Sequence, residues 1–357
     1  MRHRNLTVLA ALAVVVAVLS WVVVAMAGQA PATTAATAAK PPAVLPKPGP
    51  APKTAWGEPD LQGTWFVMEA VPLERSAANA GKPLLTDAEV ADLDKRKAAD
   101  PGRNARSENG TADVTGAYNA VFNSVLRTSK RTSMIIDPPD GRIPPLTPEA
   151  QQAQGRGGRG GGGGAGLAGG RGGARGNPND NPETTAQSPR CLGVQMPFLP
   201  LNTLFAQGTV MEIVQGPKSM GIYMEDDHAG GGNRVIPIDG SPHPPSSVKK
   251  VLGDSRAHWE GNALVVETTN FTQGFRGSNP ETYRMTERFT RVDANNLKRE
   301  ITFADPKTWT KPWTILIEMG KTDDKRHMIF DSACHEGNYG MTGILIGSRK
   351  EEAAAKK

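Results

Sequence analysis

From residue 210 to 333 the sequence is a succession of short β-rich runs separated by turn residues, with no helical period between them. No other feature restricts the fold as much, because strands joined by short connections lie antiparallel to their neighbours. The runs are 210–214, 220–225, 234–238, a hairpin within 253–271, a second hairpin formed by 283–292 and 297–303, then 313–318 and 327–333. Upstream, Trp65-Phe66-Val67-Met68 and Ser133-Met134-Ile135-Ile136-Asp137 add two more, the latter stopped by Pro138-Pro139-Asp140-Gly141. A sheet of about ten strands must curl, close or split to manage its edges. The expectation is a mainly β protein, an antiparallel meander closing into a barrel, with a β-sandwich or an open curved sheet as second choice and one or two short peripheral helices.

The first hairpin can be read residue by residue. Gly261-Asn262 is a two-residue turn between Trp259-Glu260 and the run Ala263-Leu264-Val265-Val266. Counting outward sets Glu260 against Ala263, His258 against Val265, Arg256 against Glu267 and Asp254 against Thr269. The opposite face receives Trp259 with Leu264, Ala257 with Val266 and Ser255 with Thr268, since side chains alternate along a strand. One face is apolar and the other charged. Two readings of the charged face stay open: a solvated sheet face with an Arg256–Glu267 ion pair, or the lining of a cavity.

Other segments do not build the core. Residues 1–27 carry Arg2 and Arg4, an apolar run and Ala25-Met26-Ala27, which together read as a signal peptide or an N-terminal anchor. Residues 28–55 are a Pro/Ala-rich linker, and 155–188 a Gly/Arg-rich loop with too little side chain to repay ordering. One β-rich domain is therefore expected over 56–349, with 350–357 a charged tail. Six of the arginines behind the formal charge of +5 sit in the leader and in residues 155–177, neither of which holds an acidic residue, so the rest carries about −1. That balance argues against a nucleic-acid partner and confines membrane contact to the N-terminal segment, if it is uncleaved. Thr86-Asp87-Ala88-Glu89 is a capping box opening a helix to about Ala99, and Thr147-Pro148 caps a second, shorter one.

Two cysteines, Cys191 and Cys334, are a disulfide pair in an oxidising compartment, worth about 5 kcal/mol for so long a loop in the chain-entropy model. No His-Glu-x-x-His, Cys-x-x-Cys or Gly-x-Ser-x-Gly occurs, so no metal ligand set and no nucleophile elbow is assigned, and no cofactor is named. Asp226-Asp227-His228 ahead of Gly230 reads as an exposed turn. The candidate acid/base residues are His258, Glu260 and Glu267 on the charged face, with His335 and Glu336 in Ala333-Cys334-His335-Glu336-Gly337-Asn338. Asp254, Arg256 and Trp259, with Trp309 and Trp313, are the candidate ligand contacts, the two tryptophans as stacking surfaces or as core.

Three blocks, Arg131–Leu146 (RTSMIIDPPDGRIPPL), Gly253–Asn262 (GDSRAHWEGN) and Ala333–Gly340 (ACHEGNYG), resemble those of a widespread family of exported bacterial proteins of unassigned activity. The resemblance implies an exported β-rich domain of the periplasm or cell envelope and brings no catalytic residue with it. Gly63-Thr64-Trp65 also resembles the first-strand Gly-x-Trp of lipocalin-like barrels, which implies a Trp closing the barrel floor beneath an Arg from near the last strand, for which Arg349 is suitably placed. The leading expectation for function is small-molecule binding in a cavity or cleft. The alternatives are an acid/base or metal-assisted enzyme of lyase, hydratase or isomerase type, and a structural or interaction module of the cell envelope.

Overall fold

The computed structural model describes residues 50–99, 126–157, 181–183, 185, 190–191, 210–224, 232–322, 329, 334–336 and 338–355. The chain divides into two compact units, Met1–Lys47 and Pro48–Lys357. The leader, most of the Gly-rich tract, the Asp226-Asp227-His228 turn and all but one residue of the run 327–333 lie outside the described residues.

The strands are β1 (Gly63–Val67), β2 (Glu69–Ala70), β3 (Arg127–Thr128), β4 (Ile135–Asp137), β5 (Val210–Gln215), β6 (Ser219–Met224), β7 (Gly232–Pro237), β8 (Asp254–Glu260), β9 (Ala263–Thr269), β10 (Arg284–Arg291), β11 (Asn296–Ala304) and β12 (Trp313–Lys321). Nine of them make one sheet in the order β7-β6-β5-β1-β12-β11-β10-β9-β8, and every neighbouring pair is antiparallel. The meander returns to its own beginning where β12 pairs with β1. β4 continues that edge of β12, pairing with Thr314 and Ile315 where β1 takes residues 319–321. β7 and β8, the two ends of the order, share no backbone ladder, yet they lie side by side: Arg234 of β7 donates to Ser255 Oγ of β8 at 2.8 Å. The result is a nearly closed barrel with one seam, as the run of short-linked strands predicts.

Period-two patterning puts Met211, Ile213, Met220, Ile222, Leu264, Val266, Phe289, Ile301 and Ile317 inside, each almost fully buried. Each such side chain contributes roughly 1.5–3 kcal/mol of burial free energy. One end of the interior is aromatic: Phe303 stacks on Trp313 at 4.1 Å and on Phe275 at 5.2 Å, while Trp309 meets Trp313 edge-on at 5.6 Å. Elsewhere in the core Trp65 is fully buried, its Nε1 donating to Leu61 O at 2.9 Å. An arginine does lie over this ring, but it is Arg291, 4.5 Å from the centroid and tied to the carbonyls of Asp60, Asp293 and Ala294. Arg349 is not in that position. It belongs to a C-terminal helix and pairs with Glu352.

The α-helices among the described residues are α1 (Asp87–Ala99), α2 (Pro148–Gly157) and α3 (Gly340–Ala355). The α1 cap forms as its sequence dictates: Glu89 N donates to Thr86 Oγ1 and Thr86 N to Glu89 Oε2. For α2, Ala150 N donates to Thr147 Oγ1. α3 runs on through residue 349 into the charged tail. The helix-forming run Arg349–Ala355 carries it through that point despite Gly343 and Gly347. Cys191 and Cys334 form the expected disulfide, their Cα atoms 5.6 Å apart.

Candidate functional site

The β8–β9 hairpin pairs in the register read from its turn, from Glu260↔Ala263 to Asp254↔Thr269, with Gly261 at φ 60° in the first turn position. Ser255, Ala257, Leu264, Val266 and Thr268 face the interior, Trp259 packs partly against it, and the charged side faces outward. His258 and Glu260 are about half exposed, His258 Nε2 lying 3.1 Å from Glu260 Oε1, and Arg288 of β10 donates to Glu260 Oε2 at 2.6 Å. The Arg288 and His258 bonds hold the Glu260 carboxyl below its ordinary range. The predicted Arg256–Glu267 pair does not form although the two residues are directly opposed. Arg256 instead turns along its own strand to Asp254 Oδ1 at 3.3 Å, because that carboxylate is nearly sealed from water and the exposed Glu267 is not.

Asp254 departs from the rest of the outer strip. It is only 1 % exposed, since the connection from β7 to β8 folds over it. Its carboxylate receives three partners: His243 Nδ1 at 2.9 Å, Lys250 Nζ at 2.6 Å and Arg256. Burial works to raise its pKa, but the bonds from Lys250 and His243 and the charge of Arg256 outweigh it and leave it below the usual aspartate value. The covering loop, Ser241-Pro242-His243-Pro244-Pro245, is stiffened by three prolines. It is pinned from both sides: Arg256 Nε donates to Pro242 O at 3.1 Å and Asn270 Nδ2 to Pro244 O at 3.0 Å.

A second charged cluster lies inside the barrel. Glu287 of β10, with no exposed surface, accepts from Arg299 Nη2 and meets Arg234 Nη1, both at 2.7 Å, and Arg234 also bonds Ser255 and Thr268. Burial pushes the Glu287 pKa up, but the two guanidiniums hold it below the ordinary glutamate value. The Tyr283 hydroxyl, buried nearby without a hydrogen-bond partner, is pushed well up by burial and by the Glu287 and Asp305 carboxylates. The sequence carries a signal for this cluster: Glu287 and Arg299 stand at the same strand parity as Met285, Phe289, Leu297 and Ile301, where apolar residues belong.

Among the described residues, a cavity open to solvent lies outside the barrel, between α1, β2, β3 and the outer face of β12. It has a volume of about 480 Å³ and is lined by Glu69, Val90, Asp94, Arg127, Thr128, Ser129, Lys130, Arg131 and Glu318. Several of these groups are engaged: Ser129 Oγ donates to Glu69 Oε2 at 2.7 Å and Lys130 pairs with Asp87. Arg131 is largely enclosed, its Nη1 donating to Leu316 O at 2.9 Å, but its Nε has no hydrogen-bond partner and stands 3.5 Å from Glu318 Oε2. Burial lowers the Arg131 pKa against the opposing charges of Glu318 and Glu69. Arg127 is exposed, contacting Met68 Sδ at 3.6 Å and no carboxylate among the described residues.

None of the candidate acid/base or ligand-contact residues named from the sequence lies in this cleft. Trp309 and Trp313 are core, 4 % and 0 % exposed, and offer no face to a ligand from solvent. His335 and Glu336 sit exposed in the turn beside Cys334. Among the described residues no three His, Cys, Asp or Glu side chains are arranged to hold a metal ion, and no described helix is long and apolar enough to cross a membrane. Compared with protein-family models, with curated proteins and with solved structures, the chain finds no match.

Proposed function

We propose that the protein is an exported binding protein that takes a small, doubly charged polar molecule into the cleft between α1, β3 and β12. The observation that carries this reading is the Arg131 guanidinium, enclosed in the cleft wall with Nε making no hydrogen bond and only a 3.5 Å ion pair with Glu318. A buried donor left open costs about 1–3 kcal/mol, which a ligand acceptor seated there recovers. The cleft falls in the size range of small-molecule sites, and its rim presents three carboxylates and three cations. A zwitterion matches both signs. The barrel interior is the weaker location, because it is filled by side chains as large as Trp65, Phe289 and Trp313.

Export is supported by the basic and apolar leader ending in Ala25-Met26-Ala27, by the resemblance to exported proteins, and by the disulfide, which persists in oxidising compartments. Thermal-shift measurements with free amino acids and dipeptides, beside simple amines and simple carboxylates, test the binding reading. At least one zwitterion raises Tm, and Arg127→Ala, an exposed change, removes the shift without lowering the unliganded Tm. No shift from any zwitterion, or a shift that survives Arg127→Ala, sinks the proposal.

A further inference from the structure

The connection between β7 and β8 holds an arrangement that the cleft does not explain. Asp254 already has two cations, Lys250 and Arg256, so its charge is balanced without a third partner. His243 adds no needed neutralisation. What the contact does is fix the imidazole: Asp254 Oδ1 accepts from Nδ1 at 2.9 Å, which leaves the lone pair on Nε2, and Nε2 has no partner among the described residues. The ring sits on the proline-stiffened loop, pinned through Pro242 and Pro244, with its side chain 26 % exposed at the surface. A buried carboxylate, a tautomer set by it, an open ring nitrogen and two cations alongside make up the base half of a hydrolytic site.

We infer that His243 is a general base for ester hydrolysis, with Asp254 as its positioning residue and Lys250 and Arg256 holding that carboxylate in place. Nε2 takes a proton from water as the water oxygen bonds the acyl carbon. A tetrahedral oxyanion forms at the acyl carbon. The carbon–oxygen bond to the leaving group then breaks, and the imidazolium returns its proton to the departing alkoxide. Water is split between acid and alcohol, and no cofactor or redox partner enters. The facing charged groups are Asp254, Lys250 and Arg256, with exposed Asp239 close enough to act on Arg256's field.

The test uses the mature chain with p-nitrophenyl acetate, scored by saturation kinetics against free imidazole at equal concentration. His243→Gln lowers kcat about 10²-fold or more, the usual worth of a general base. His258→Gln and His335→Gln, which alter the two other described histidines, leave kcat unchanged. Asp254→Asn lowers kcat with little change in KM, as expected of a residue acting through another; Tm separates this from loss of fold. A wild-type rate no greater than that of imidazole, or a His243→Gln rate equal to wild type, overturns the inference, as does an equal loss in His258→Gln.

Discussion

Glu287 and Arg288 are adjacent on β10 and point to opposite sides of the sheet, so two ion networks hang from one step of backbone. Inward, Glu287 is sealed between Arg234 and Arg299. Outward, Arg288 meets Glu260, which His258 also touches, with all three side chains about half in water. The arginine–carboxylate distances of the two networks are nearly the same, 2.7 Å inside and 2.6 Å outside. Their energetic weight differs because of solvent. Outside, water screens the charges and competes for every donor. Inside, removing one partner leaves a charge that nothing else can solvate. Asp254 stands between the two cases, on the outer face by strand parity but roofed by a loop.

The sharpest way to break the comparison is Glu287→Gln, which keeps the shape and leaves two buried guanidiniums without their anion. Chemical denaturation should report a loss of about 3–5 kcal/mol. The same network predicts a pH signature. Because Glu287 titrates below its ordinary value of 4.5 in the folded barrel, its stabilisation is complete above that value and is lost as pH falls through the folded pKa. Denaturation midpoints followed from pH 6 to pH 3 should fall steeply in the wild type and less steeply in Glu287→Gln.

The intermediate case is probed through the backbone that delivers Asp254. Gly253 has φ 72°, and a Cβ there would meet Thr268 Cγ2 at 2.6 Å and Phe271 Cε1 at 2.7 Å. Gly253→Ala should cost about 1–3 kcal/mol by thermal denaturation, from strain and overpacking together. The smallest effect belongs to the outer network. Glu260→Gln should leave Tm where it is, and any salt dependence of stability should be indistinguishable from wild type; a clear drop in Tm would mean that depth does not separate the two networks.

The same division governs what could be read in advance. Strand positions, the β8–β9 register, both helix caps and the disulfide pair follow from local rules of alternation, turn chemistry and cysteine count. The partner of Arg256 does not, because choosing Asp254 over the opposed Glu267 requires knowing that a loop ten residues upstream covers one and not the other. Nor does the Arg291–Trp65 contact, which joins β10 to β1. Polar residues at apolar parity, Glu287 and Arg299, were visible as a conflict of pattern, and Arg234 completes the cluster only once β7 is brought beside β8. The cleft is harder still. Its walls come from 69, 90–94, 127–131 and 318, and no single stretch advertises it. His243 carried a local signal, an imidazole set among prolines, but its meaning depends on Asp254 lying beneath it.

The seam has a consequence for the dynamics of the barrel. Every other neighbouring pair of the nine strands shares a backbone ladder, while β7 and β8 are joined across the gap by the side chain of Arg234 and by the connection that carries His243. Amides on the facing edges of β7 and β8 are therefore protected by packing rather than by partners. In deuterium-exchange experiments they should take up label ahead of β10 and β11, so that the barrel breathes along one line, and the charged cluster beneath that line is the first part of its interior that water reaches.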